Sequence, residues 1–285
     1  MKRSRPTRAA AAGSADGSPP VANFLNRLLV GAALLPLTLG LVWLGGWWLF
    51  ALAMTMAAVG IHELCLVTRP LRPMLIAGYG GVTLTVLGAQ LGGTRWALGG
   101  FVATIALGFV MKGVSDTKGS ATVSVGTTVL GVAWIGLGAA FLLLLRDIPA
   151  HGRLACFAVL LAIFASDTFA FFGGRLLGRH KLAPMLSPGK TWEGLAFGIA
   201  AAVFVVWVSV YGRSWLTQGD SLLLGAAVAV AAPLGDLFES GLKRDMNVKD
   251  TGKILGGHGG VLDRVDSILF AIPVAYYVVA AFGKA

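Results

Sequence analysis

The sequence predicts an all-α, polytopic integral membrane protein with about nine transmembrane helices. Three observations predict it. Hydrophobic residues make up 56% of the 285 and charged residues only 13%, and the mean hydropathy is +0.79, far from a water-soluble globule. The apolar residues fall in runs of about 20, the length a helix needs to cross a hydrocarbon core. The Lys and Arg residues collect in alternate loops, as the positive-inside rule requires. Forty glycines without a G-X-Y period exclude collagen and favour close helix packing in lipid. Cys65 and Cys156 lie in or beside apolar stretches, so packing is their expected role and a disulfide framework is excluded.

Residues 1–22 read as a disordered, basic cytoplasmic tail, rich in small residues and proline without periodicity. The apolar run that follows is too long for a signal peptide and is read as a retained first helix. Helices are expected near 27–45, 46–66, 73–92, 95–112, 121–145, 153–174, 194–211, 220–238 and 262–282. The first two form a hairpin broken at Gly45-Gly46, beside the interfacial Trp47-Trp48. This divides the chain into N-terminal transmembrane helices over 23–152 and a C-terminal catalytic region over 153–285, with long loops at 175–193 and 239–264. Of the 23 Lys and Arg residues, 18 fall on the side of the basic tail. The other side holds Arg95, Arg146, Arg153, Arg213 and Lys284. The N-terminus and both long loops are therefore expected in the cytoplasm. The net charge of +10 reads as a face for anionic membrane lipids or a polyanionic substrate, with no nucleic acid required.

Carboxylates inside spans are expensive and mark function. Glu63, Asp167 and Asp236 lie within or at the end of spans. Glu63 is read as a helix-end carboxylate at the interface; its His62-Glu63-Leu64-Cys65-Leu66 stretch lacks the second His of a zinc-protease motif. If the helix carrying Asp236 continues, Asp236, Glu239 and Ser240 share one face, and Asp263 and Asp266 repeat the spacing on the last helix.

The loop between these pairs holds Gly256, Gly257, Gly259 and Gly260 around His258. Such glycines let backbone N–H groups converge on an anion. Lys243, Arg244, Lys249, Lys253 and Arg264 add cationic donors. With carboxylates at Asp236, Asp250, Asp263 and Asp266, the mixture points to a divalent cation bridging carboxylate and substrate phosphate. A second segment, Ser187-Pro-Gly-Lys-Thr-Trp-Glu193, reads as a helix N-terminus aimed at phosphate. It is not a P-loop, because Pro184 stands where that motif needs Gly. His180 reads as a loop residue.

The stretch of Ser240, Lys243, Arg244, Lys249, Asp250, Gly252, His258, Gly259, Gly260, Asp263, Arg264 and Asp266 resembles the signature of phosphatidate cytidylyltransferases, also called CDP-diacylglycerol synthases. The Ser-Asp at Asp167, Ser187 to Glu193, and the surroundings of Asp236 and Ser240 are similar too, so the resemblance covers about the last 120 residues. Gly189 stands where the family commonly has Lys, and Gly256 where it has Pro.

The resemblance implies transfer of cytidylyl from CTP to phosphatidate, releasing pyrophosphate. It also implies dependence on Mg²⁺, with a second cation as an option, and a homodimer. Asp236 and Asp263 are the first expected metal ligands, with Asp167, Asp250 and Asp266 as further ligands or their supports. Lys243, Arg244, Lys249 and Arg264 are expected to hold phosphates. His258 is expected to orient a phosphate, donate a proton or brace the loop. Ser187, Lys190, Thr191, Ser240, Gly259 and Gly260 complete the expected substrate site. A bacterial inner membrane is the expected location. Two alternatives stay open from the residues: a CTP-dependent lipid kinase, and an ion-coupled transporter, which predicts an inverted repeat that the sequence lacks.

Overall fold

The computed structural model describes residues 36–115, 119–252 and 259–283. The expected tail 1–22, most of the first expected helix, and Lys253, Gly256, Gly257 and His258 lie outside them. The helices are α1 (36–44), α2 (Gly46–Val67), α3 (Leu75–Val114), α4 (Ala121–Arg146), α5 (Gly152–Leu177), α6 (Trp192–Val210), α7 (Gln218–Asp245) and α8 (Leu262–Phe282). Among the described residues, seven of them, α2 to α8, are long and apolar enough to cross a membrane. At 40 residues, α3 is twice the length a bilayer needs, and it loses helical dihedrals at Gly92 and Gly93. The protein is thus an α-helical integral membrane protein.

The expected break at Gly45-Gly46 is present. Gly45 has φ 67°, the left-handed region that glycine enters without a Cβ penalty. The carbonyls left at the end of α1 find a partner in α4: Arg146 donates from Nε to Val42 O at 2.8 Å and from Nη2 to Trp43 O at 3.0 Å. An arginine suits the carbonyl end of a helix both as donor and as charge.

Helix α4 is the most enclosed span. It is helical throughout but widens to a π-turn over Val132–Gly136. There Trp134 packs edge-on against Phe238 of α7 at 4.9 Å and against Phe270 of α8 at 6.5 Å. Helices α5 to α8 pack in succession, and α5 returns to touch both α7 and α8. The C-terminal quartet therefore closes on itself.

Two features depart from the expected layout. A two-stranded antiparallel hairpin joins α5 to α6, with β1 (Lys181–Ala183) paired to β2 (Ser187–Thr191). The expected helix start is present, with Thr191 Oγ1 capping α6 by accepting from Gly194 N at 3.1 Å and Glu193 in the first turn; the departure is the strand that leads up to Thr191. Also, α7 runs on to Asp245, seven residues past its expected end. A hydropathy window finds where a helix leaves lipid, not where it stops. A capping box between Thr217 and Asp220 starts α7. A Schellman turn ends it: Asn247 is left-handed at φ 54°, Asn247 N donates to Arg244 O, and Val248 N to Lys243 O.

Candidate active site

The extension of α7 decides the site, because it places Asp236, Glu239, Ser240 and Lys243 at i, i+3, i+4 and i+7 on one helical face. Ser240 Oγ donates to Asp236 Oδ1 at 3.3 Å. Lys190, delivered by β2, approaches the same carboxylate: its Nζ lies 2.8 Å from Asp236 Oδ2 and also donates to Pro233 O at 3.2 Å. Hairpin and helix are therefore locked by one ion pair, and the two sequence motifs meet.

One turn further, Lys243 is wedged between carboxylates. Its Nζ lies 3.3 Å from Glu239 Oε2 and 2.8 Å from Asp263 Oδ1. Asp263, at the start of α8, has its second oxygen fully engaged. Asp263 Oδ2 accepts from Thr251 N at 3.0 Å, Thr251 Oγ1 at 3.0 Å and Gly260 N at 2.7 Å. Asp263 thus ties together both described flanks of the loop and the lysine of α7.

Glu239 is almost wholly buried, and its Oε1 lacks a hydrogen-bond partner. The neighbouring carboxyl is that of Asp266. Two facing carboxyl groups of this kind need a shared proton or a cation between them. The charges that reach Asp167 of α5 are those of Asp266, Asp236 and Lys190. Helices α5, α7 and α8 thus bring Asp167, Asp236, Glu239, Asp263 and Asp266 to one place with two lysines. Glu239 was legible only as a face-mate of Asp236; its burial makes it central.

Among the described residues, no group of three His, Cys, Asp or Glu is arranged to hold a metal ion. The oxygen-only donor set and the orphaned Glu239 Oε1 nevertheless fit Mg²⁺, which is typically held by one or two carboxylates together with substrate phosphates and water.

The remaining expected residues spread around this centre. Arg244, Lys249, Asp250 and Arg264 are exposed, and the long cationic side chains among them can meet a soluble anion. Thr191 is buried as the cap of α6. Ser187 begins β2, and Gly259 has φ 82°. His180, on the outer rim, pairs with Glu193 at 2.6 Å.

A family model described as "Cytidylyltransferase family" matches residues 25–282. A phosphatidate cytidylyltransferase of Haemophilus influenzae is 39% identical over 134 residues, 45% of this chain and 46% of that protein. One from Bacillus subtilis is 38% identical over 159 residues, 55% of this chain and 59% of that protein. The chain spans about half the length of the curated relatives it matches. With a match running nearly end to end, and with the carboxylates and lysines of the C-terminal quartet converging on one site, the chain belongs to the cytidylyltransferase family.

Proposed function

We propose that this chain transfers cytidylyl from CTP to phosphatidate, giving CDP-diacylglycerol and pyrophosphate. The observation that carries the proposal is the convergence of Lys190 and Lys243 on Asp236, Glu239 and Asp263 at the ends of apolar helices. Alternating carboxylates and ammonium groups can accept a polyphosphate and its counter-ion together. The relatives named phosphatidate cytidylyltransferase support the choice of substrates.

In this reaction a phosphate oxygen of phosphatidate attacks the α-phosphorus of CTP. The new P–O bond forms as the bond to the β-phosphate oxygen breaks, and pyrophosphate departs with the electron pair. No side-chain nucleophile is needed; the protein orients the two phosphates and offsets their charge. Lys190 and Lys243 exchange part of their carboxylate contacts for phosphate oxygens. Arg244, Lys249 and Arg264 draw CTP to the face. Asp236, Asp266 and Glu239, with Asp167 and Asp263 beside them, would hold Mg²⁺, which supplies charge neutralisation at the phosphates when bound.

The site lies at the ends of α5, α7 and α8, so one substrate can arrive from water while the other keeps its acyl chains in lipid. The proposed topology has nine spans, counting α1 and both arms of α3, with the N-terminus and the site in the cytoplasm by the 18 to 5 distribution of Lys and Arg. A homodimer in a bacterial inner membrane completes the reading. The test is turnover by detergent-purified protein: CTP, phosphatidate and Mg²⁺ should yield pyrophosphate and CDP-lipid in equal amounts, whereas CDP without pyrophosphate would indicate a lipid kinase.

A further inference from the structure

Glu63 lies on α2, in the half of the chain that carries none of the expected site residues, and is fully buried. Its carboxylate reaches across the fold to the start of α8. Oε1 accepts from Val261 N at 3.0 Å and Oε2 from Leu262 N at 2.9 Å. These N–H groups belong to the first turn of a helix, where no intrahelical acceptor exists and the dipole favours an anion. A buried carboxylate is stable here because each oxygen receives a backbone donor.

The same carboxylate is the surface against which both flanks of the loop pack. A Cβ on Gly252 would run into Glu63 Oε1, and one on Gly260 would lie 2.5 Å from Glu63 Oε2. Neither glycine has a positive φ, so what they need is space beside Glu63, not an unusual backbone. From this contact the chain of bonds runs on without a gap. Gly260 N and Thr251 hold Asp263 Oδ2, and Asp263 Oδ1 holds Lys243. Next to Glu63, His62 Nδ1 lies 2.9 Å from Tyr79 Oη, which fixes this end of α2 against α3.

We propose that Glu63 is a positioning residue for nucleotide binding: it clamps Gly252, Gly260 and the first turn of α8 so that Asp263 presents Lys243 to the CTP phosphates. The assignment of nucleotide rests on the function proposed above; the clamp itself does not. A brace for the fold alone would reduce the amount of active enzyme and leave both KM values unchanged. A positioning role separates them.

The experiment compares wild type, Glu63→Gln and Glu63→Ala as full-length protein in detergent. Expected is a rise of about tenfold or more in KM for CTP, larger for Glu63→Ala than for Glu63→Gln, with KM for phosphatidate unchanged. Amide hydrogen exchange is read in parallel, and should quicken in peptides covering Thr251, Gly252 and Gly259 to Leu262, with α4 unaffected. Gly252→Ala supplies the coupling test: its added methyl should impair wild type yet have no further effect in the Glu63→Ala background, where the carboxylate is gone. Unchanged KM for CTP in an active Glu63→Ala enzyme would overturn the positioning role. Unchanged exchange at Val261 and Leu262 would overturn the clamp. If wild type itself fails to turn over CTP with phosphatidate, the function fails, and the clamp stands or falls on exchange.

Discussion

Lys190 Nζ and Asp236 Oδ2 meet at 2.8 Å, joining a strand of the hairpin to helix α7. The pair is half-exposed, so its intrinsic contribution to stability is small, and its value lies in placing a cation beside the carboxylate cluster. Replacing Lys190 with Met should leave the helical content unchanged and lower kcat/KM for CTP about 10- to 100-fold. Steady-state pyrophosphate release checks this, with circular dichroism as the folding control.

Asp263 uses both oxygens for four contacts, to Lys243, Thr251 twice and Gly260. Asp263→Asn keeps the shape but turns an acceptor oxygen into a donor facing either a lysine or backbone N–H groups. The expected result is loss of activity by about 100-fold or more, with faster proteolysis between Lys249 and Arg264. Intact wild-type rates in that variant would show that the carboxylate charge is dispensable.

The fold was legible where its signal is composition or charge. Apolar length located α2, α4 to α6 and α8, and the start of α7, within a few residues, and Gly45-Gly46 marked a true break. The end of α7 was missed because Lys243, Arg244 and Asp245 leave lipid without leaving the helix. The hairpin was missed because Ser187 to Thr191 lacks strand alternation and is held by pairing with Lys181–Ala183. In the site, the motif residues Asp236, Asp263 and Lys190 could be picked out singly, but their pairing could not, since each contact crosses between elements. Glu63 was the least legible. It looked like an interfacial carboxylate because nothing in its own helix announces a partner 198 residues away.

Arg146 closes the end of α1 through two carbonyls. Arg146→Ala should lower stability by about 1 kcal/mol, since two helix-end carbonyls, one part-buried and one exposed, lose their charged donors. The expected reading is a fall in thermal unfolding temperature in detergent. These bonds hold α1 rather than the carboxylate and lysine cluster, so the KM for CTP of the surviving enzyme should be unchanged.

Thr191 serves as the N-cap of α6. Thr191→Ala should therefore destabilise by about 1 kcal/mol, whereas Thr191→Ser, which keeps the hydroxyl, should recover most of that loss. A thermal-shift comparison of the two variants measures it. If the hydroxyl also contacts phosphate, Thr191→Ala will raise KM for CTP as well, and Thr191→Ser will restore it.

The most direct measurement is product analysis of wild-type protein and Asp236→Ala, each purified in detergent and given CTP, phosphatidate and Mg²⁺. Wild type should release pyrophosphate and CDP-diacylglycerol in a one-to-one ratio, and the folded variant should release neither. Failure of a folded wild-type protein to consume CTP, or equal product from the Asp236→Ala protein, would contradict a cytidylyl-transfer site built on the lysine and carboxylate face of α7.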